Sequence, residues 1–176
     1  NVNGTQGLWA LIDGLKAEES TLLAKPEILA PQDHRQAPDQ LNLACKGLNR
    51  IGYATYTTPS RSTPGRWAGG MCHGGTILAV SRAIPQRPAA QPANDSGQVA
   101  AAWVAGWLVG SVYARDNAEN QANTVLLLAE LFETTGALDR KIPWMLLGDW
   151  NSLPKDSSPL RLLEAYGGLL LDTGDL

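Results

Sequence analysis

Apolar residues recur at helical spacing in four parts of the chain. The first run, from about residue 6 to residue 24, predicts an amphipathic helix that Gly14 weakens. A second helix is predicted after Pro38, because proline is favoured in the first helical turn. The third begins after Asp116 or Asn117, either of which can cap it, and a short fourth one begins at Ser158. The expected inner face of the third helix consists of Val125, Leu128, Ala129 and Phe132. Gly136 is expected to end this helix.

Strands are predicted where short apolar or alternating runs lie between breakers. They cover residues 27–33, 51–57, 76–81 and 143–149, a hairpin at 99–104 and 107–113, and the start of a strand at 169–171. Residues 58–75 and 83–97, rich in glycine, proline or alanine, are expected to be loops. Helices alternate with strands at the start, whereas the hairpin in the middle is antiparallel. The pattern therefore favours an α/β fold of mixed sheets with helices outside, in layers.

Composition adds few constraints. A chain of 176 residues suits one domain, and a net charge of −3 gives no basic face for bulk nucleic-acid binding. Two distant cysteines exclude a disulfide framework or a zinc pattern. No run approaches the ~18 apolar residues of a membrane span, so no membrane partner is expected. The chain does not begin with Met, and we expect it to be a piece of a longer protein.

The segment around Asp149 carries the most chemical information. An apolar run from Pro143 to Leu147 ends in Gly-Asp-Trp-Asn. A buried strand that delivers a carboxylate and an amide is costly unless they face a metal, a cation or a cleft, and α/β sheets bind ligands at strand ends. The competing interpretation is a local Asx-turn, in which Asp149 and Asn151 cap the backbone.

Polar side chains also follow three other predicted strands, the first of which ends at Asn1–Gly4. They are Asn1 with Asn3, then Asp33 after Gln32, and then Tyr113 with Arg115 and Asn117. Magnesium prefers oxygen ligands, often one or two carboxylates, and Asp33 is the natural ligand. Asp149 could activate a water, while Asn151, Asn117 and the Tyr113 hydroxyl could hold phosphate oxygens. The alternatives are a core aromatic role for Tyr113 and a helix cap for Asn117.

The order of these motifs resembles the endonuclease/exonuclease/phosphatase superfamily. The order is Asn-x-Asn-Gly at the start, Gln32-Asp33, Gly-Gly-x-apolar, Val-x-x-x-Tyr ending at Tyr113, and Gly-Asp-x-Asn. The superfamily includes apurinic endonucleases, deoxyribonuclease I-like enzymes, endonucleases of non-LTR retrotransposons and inositol-phosphate phosphatases. The resemblance implies a four-layer α/β sandwich, with two mixed sheets face to face and outer helices. It also implies hydrolysis of phosphodiesters with Mg²⁺, or Mn²⁺ in its place.

The resemblance also implies roles for individual residues. Asn1 and Asp33 resemble the metal-site residues, and Tyr113 and Asn117 the phosphate-contacting ones, with Arg115 beside them. Asp149 resembles the Asp that activates water, and Asn151 its phosphate-binding partner. Two features depart from the family pattern. Asp33 stands where Glu is usual, and the late catalytic Asp and the Ser-Asp-His strand do not occur before Leu176; neither His34 nor His73 matches that histidine.

From the resemblance we expect one partial domain, residues 1–176, with its first and last strands incomplete. The parent protein is expected to be a retrotransposon-type endonuclease that acts on DNA, fused to a reverse transcriptase and intracellular, in the nucleus. This piece alone is expected to be inactive and poorly soluble, because the histidine is missing and a sheet edge is unpaired. The alternatives are a small-molecule phosphatase, such as an inositol-phosphate phosphatase, and a degenerate non-catalytic scaffold or binding domain.

Overall fold

The structure is a computed structural model, and it describes residues 5–17, 25–63, 71–92, 98–115 and 117–171. The helices are α1 (Thr5–Ala17), α2 (Pro38–Arg50), α3 (Ala118–Thr135) and α4 (Ser158–Ala165), and a 3₁₀ turn covers Pro154–Asp156. The strands are β1 (Ile28–Leu29), β2 (Tyr53–Thr58), β3 (Arg61–Thr63), β4 (Met71–His73), β5 (Thr76–Ser81), β6 (Gln86–Pro88), β7 (Val99–Val104), β8 (Trp107–Tyr113) and β9 (Trp144–Asp149).

The strands of the described ranges form two main sheets and a separate hairpin. The first sheet has the order β1-β5-β2 and is antiparallel throughout. The second has the order β6-β7-β8-β9, in which only β8 and β9 are parallel. The α3 helix connects these two parallel strands, as a crossover requires. Among the described residues, strands β3 and β4 pair only with each other.

Burial on both faces of β5 and β7 makes the fold a four-layer sandwich. On β5, Ile77 and Ala79 pack against α1 and α2, whereas Leu78 and Val80 face the second sheet. On β7, the alternation is the same: Val99 and Ala101 pack under α3 and α4, and Ala100, Ala102 and Val104 face the first sheet. Successive side chains of a strand point to opposite faces, so each sheet has one helical neighbour and one sheet neighbour. The predicted fold class is confirmed.

The termini of α3 and α4 follow the local sequence. The Asn117 side chain accepts the backbone N–H of Asn120 at the start of α3, and Gly136 ends the helix in the left-handed conformation at φ 59°. Ser157 caps α4 in the same way by accepting from Leu160 N–H, and Pro159 lies in the first turn. Predicted boundaries marked by such residues agree with the structure.

Several expected elements differ from the structure. The expected loops contain short strands, β3 and β4 in 58–75 and β6 in 83–97, while residues 169–171 form no strand. The strand expected over 27–33 reduces to β1 and an isolated bridge between Gln32 and Thr76. The inner face of α3 is rotated: Leu127 and Leu131 are buried with Leu128 and Phe132, whereas Val125 and Ala129 are only half-buried. The expected strand before Gly4 and helical residues 18–24 lie outside the described ranges.

Within the described ranges, no helix is both long enough and apolar enough to span a bilayer.

Candidate active site

The register of β8 and β9 places two of the site residues side by side. In this parallel pair Tyr113 lies opposite Asp149, and the ladder continues one residue further, where Ala114 N–H donates to the Asp149 carbonyl at 2.9 Å. Tyr113 and Asp149 therefore leave the second sheet at the same edge, as their positions at strand ends predict.

The turn after β9 holds Asn151 against the same edge. Its side-chain Nδ2 donates to the Ala114 carbonyl at 3.0 Å, and its backbone N–H donates to Asp149 Oδ1 at 3.3 Å. Asn151 adopts a left-handed backbone with φ 47°, which asparagine tolerates better than most residues. The Asx-turn is thus present, and it also brings the Asn151 amide beside the residues that follow Tyr113.

Gln121, a buried residue that was not predicted as part of the site, makes hydrogen bonds with the turns that follow β8 and β9. Gln121 Nε2 donates to the Arg115 carbonyl at 2.8 Å and approaches the Trp150 carbonyl at 3.3 Å, and Ser157 Oγ lies 3.5 Å from Gln121 Oε1. The signal available in the sequence was its spacing, because Gln121 lies seven residues before the buried Leu128 and so on the same face of α3. A polar residue on an apolar helix face needs partners, and here the partners are the backbone of the site turns.

An open cleft of about 320 Å³ lies at this edge of the sheet. Its lining is entirely polar or amphipathic: His73, Tyr113, Arg115, Asn117, Asn120 and Asn151. Four of these residues were predicted as site residues, and His73 and Asn120 were not. Arg115 Nη2 is buried and has no hydrogen-bond partner within the described part of the chain. A buried guanidinium nitrogen without a partner is costly, which makes the cleft suited to an anionic group.

Asp33 belongs to a second loop, which runs from β1 to α2 and contacts the second sheet. The preceding Gln32 donates from Nε2 to Ser111 Oγ of β8 at 3.2 Å and to the Leu147 carbonyl of β9 at 3.4 Å. The Asp33 side chain is 3% exposed and has a positive φ of 54°. Gln32 therefore fixes the Asp33 loop relative to the strands that carry Tyr113 and Asp149.

Electrostatics show that these groups lie close together. Burial raises the pKa of Tyr113, and the nearby carboxylates of Asp33 and Asp149 raise it further, whereas Arg115 and Arg35 lower it. The hydroxyl thus stays protonated at neutral pH and can donate to an anion. The hydrogen bond to Asp33 raises the pKa of Arg35. Asp33, Arg35, Tyr113, Arg115 and Asp149 consequently form one charged neighbourhood.

The carboxylate of Asp33, the predicted metal ligand, makes hydrogen bonds with both of its oxygens. Asp33 Oδ2 accepts both Nε and Nη2 of Arg35 at 2.9 and 2.5 Å, and Oδ1 accepts Gly74 N–H at 3.0 Å. Three of the roughly four lone-pair positions of a carboxylate are thereby used. In the described ranges, no three acidic, histidine or cysteine side chains cluster as metal ligands, and Asn1 lies outside those ranges. Arg35 thus supplies the positive charge at Asp33, and the metal-binding roles of Asp33 and Asn1 stay predictions.

His34 is fully buried beneath the hairpin base. Gln36 N–H donates to Nδ1 at 3.0 Å, so Nδ1 is unprotonated and Nε2 is the nitrogen that donates to the Thr58 carbonyl at 3.3 Å. Desolvation lowers its pKa from 6.5 to about 4, against the opposing effects of Thr58 and Asp33. His34 is a neutral structural residue that supports the Asp33 loop.

No protein-family model and no curated protein matches the sequence. Solved structures with the same fold do match it. A 3′ phosphatase, NExo, from Neisseria, bound to a product DNA hairpin, has 22% identity and a TM-score of 0.55; the match covers 89% of this chain and 57% of that one. An AP endonuclease from Archaeoglobus fulgidus has 17% identity and a TM-score of 0.56, with 94% and 67% covered. The human Nocturnin catalytic domain has 15% identity and a TM-score of 0.52, with 87% and 61% covered.

These neighbours belong to the endonuclease/exonuclease/phosphatase superfamily, and the chain has the fold of that superfamily. The resemblance predicted from the motifs is thereby confirmed at the level of the fold. The chain spans 57% of the length of the NExo structure that it matches.

Proposed function

We propose that this chain is part of a phosphodiester hydrolase that acts on nucleic acid, of the type found in retrotransposon endonucleases. DNA is the proposed partner, a reverse transcriptase the proposed neighbouring region, and residues 1–176 the proposed partial domain. The observation that carries the proposal is the cleft itself, in which Arg115 Nη2 is buried without a described partner among polar side chains. A phosphate oxygen would satisfy that nitrogen by a charge-assisted hydrogen bond.

The proposed chemistry uses the residues at the ends of β8 and β9. Asp149 orients a water and takes its proton, because it is the carboxylate that the register places beside Tyr113. Tyr113 donates a hydrogen bond from its hydroxyl to a non-bridging phosphate oxygen, with Arg115 and the Asn151 and Asn117 amides around the same group. The donors stabilise the charge that develops as the bond from the water oxygen to phosphorus forms and the ester P–O bond breaks, and the departing alkoxide takes its proton from solvent.

Mg²⁺ or Mn²⁺ dependence stays a proposal from the family. Within the described ranges, Arg35 and Gly74 engage the Asp33 carboxylate, and no step is assigned to an ion. Metal dependence is therefore measured as a variable, with Mg²⁺, Mn²⁺ and a chelator as separate conditions.

The test is nicking of supercoiled plasmid DNA by a protein that contains this chain and the region after Leu176. We expect nicking that Asp149→Ala abolishes and that Asp156→Ala, a matched change at an exposed acid, leaves intact. We also propose that the 176-residue chain alone does not nick DNA, because neither His34 nor His73 matches the family's catalytic histidine.

Two outcomes would contradict the proposal. Turnover of an inositol phosphate without nicking would assign the protein to the small-molecule phosphatases. Absence of both activities in the longer protein, under all three metal conditions, would identify a degenerate scaffold or binding domain.

A further inference from the structure

The β3–β4 hairpin ends at the cleft, and its last residue is His73. In the hairpin register His73 lies opposite Arg61, and Gly74 follows it immediately. Gly74 is attached to the Asp33 loop in both directions: its N–H donates to Asp33 Oδ1 at 3.0 Å, and its carbonyl accepts Arg35 N–H at 3.0 Å. The buried Asp33 side chain therefore fixes the position of the residue after His73, and with it the base of the hairpin.

Gly75 makes this attachment possible. Its φ is 87°, and a Cβ atom at this position would come within 2.3 Å of the His34 ring. The hairpin base can thus lie directly on the buried His34, and His34 N–H donates to the Gly75 carbonyl at 3.4 Å. The Gly74-Gly75 pair consequently places His73 at the cleft through backbone contacts rather than through a flexible loop.

His73 contributes a kind of group that the rest of the lining lacks. The other five lining residues lie at the end of β8, after β8 or β9, or at the start of α3. His73 comes from the hairpin, and its side chain is half-buried. The lining contains Arg115, Tyr113 and three asparagines. A histidine donates through one ring nitrogen when neutral and through both when charged, so His73 adds an imidazole donor from an element other than those that carry Tyr113 and Arg115.

We propose that His73 contacts the substrate by donating a hydrogen bond to an oxygen of the phosphate group that Arg115 binds. This inference deepens the proposed function, because it adds a phosphate contact from the hairpin to the cleft of the second sheet. The ligand is a phosphate ester. Because the cleft opens to solvent, we assign this phosphate to a DNA strand.

The experiment measures binding in a chelator, so that neither cleavage nor a metal is required. A short fluorescein-labelled DNA hairpin is titrated with the 176-residue chain, and the dissociation constant is read by fluorescence anisotropy. His73→Phe keeps an aromatic ring and removes the donor, whereas His73→Gln keeps a donor. Arg50→Gln, at the exposed end of α2, is the matched control for loss of a basic side chain away from the cleft.

We expect His73→Phe to weaken DNA binding about tenfold, the cost of one hydrogen bond to a charged group. His73→Gln should recover most of this loss, and Arg50→Gln should bind like the wild type. In NMR spectra of the wild type, the His73 Cε1–H resonance should shift on addition of DNA while that of the buried His34 stays in place. Unfolding midpoints of all variants should agree, which separates contact from structural support.

Equal affinity of His73→Phe and the wild type would overturn the inference, as would a wild-type chain that binds no DNA. If an inositol phosphate displaces the labelled DNA at a lower concentration than unlabelled DNA does, the phosphate that His73 contacts belongs to a small molecule and the assignment to DNA is overturned. If DNA binding depends on His73 but the longer protein hydrolyses neither substrate, the proposed hydrolase function fails and the contact stands.

Discussion

Asp33 and Arg35 form an ion pair in which one carboxylate oxygen, Oδ2, accepts hydrogen bonds from both Nε and Nη2 of the guanidinium. The two residues are separated by one position, and both have positive φ angles, 54° and 52°. The backbone of this loop is thus in a conformation that L-residues avoid. The ion pair and the bond from Gly74 N–H hold it there.

Replacing Asp33 by Asn should therefore destabilise the fold. The change removes the charge that pairs with Arg35. The amide also has a single acceptor oxygen, which cannot accept from Gly74 N–H and from the Arg35 guanidinium at once. We expect a loss of about 1–3 kcal/mol in the free energy of unfolding, below the range for a fully buried pair because Arg35 is 42% exposed. Urea denaturation measures it, with Glu164→Gln, an exposed change on α4, as the control. Equal stability of both variants would show that the pair does not hold the loop.

Gly75 and Gly52 offer a matched pair of substitutions. Both have positive φ, 87° and 97°, but a Cβ at Gly75 would meet the His34 ring, whereas a Cβ at Gly52 has nothing within 4 Å. Gly52→Ala should cost about 1–3 kcal/mol from backbone strain alone. Gly75→Ala should cost about 1–3 kcal/mol more, because the ring must move. Thermal unfolding of the two variants checks this, and equal midpoints would argue against the close contact with His34.

The buried His34 predicts how stability depends on pH. Its pKa is about 4 in the folded protein and 6.5 when unfolded, so between these values the unfolded chain binds more protons. The free energy of unfolding should therefore fall as pH falls from 6.5 to 4, by at most about 3 kcal/mol from this group, and then level off. Denaturation curves from pH 7 to 4 give the slope. His34→Gln should flatten it in this window, and an unchanged slope would contradict the assignment.

Gln121 should affect the site through the backbone of its turns. Gln121→Met keeps the length of the side chain but leaves the carbonyls of Arg115 and Trp150 without this donor. We expect a loss of about 1–3 kcal/mol in stability and weaker DNA binding, since Arg115 is no longer held. Gln40→Met, at an exposed position of α2, is the matched control. Urea denaturation and anisotropy measure the two effects, and unchanged DNA affinity would show that Gln121 has only a structural role.

The local sequence was sufficient where a short-range rule decides the conformation. Asn117, Gly136 and Pro159 mark helix ends by capping and by restricted backbone angles, and the structure has those ends. The two-residue break Ala105-Gly106 between two apolar runs predicted the hairpin of β7 and β8, and the structure has it. The positions of Tyr113 and Asp149 at strand ends could also be predicted, whereas the register that places them side by side is set by the assembled sheet.

Only the tertiary structure could decide the partners of the polar residues. His34 is buried because the Gly74-Gly75 segment, some forty positions later, lies on it, and no periodicity in its own neighbourhood signals this. Asp33 was predicted to bind a metal, yet Arg35 and Gly74 engage its oxygens. Sequence determined which residues leave the strand ends; long-range backbone contacts decided which of them face the cleft, because a hydrogen bond between distant segments depends on the assembled sheets.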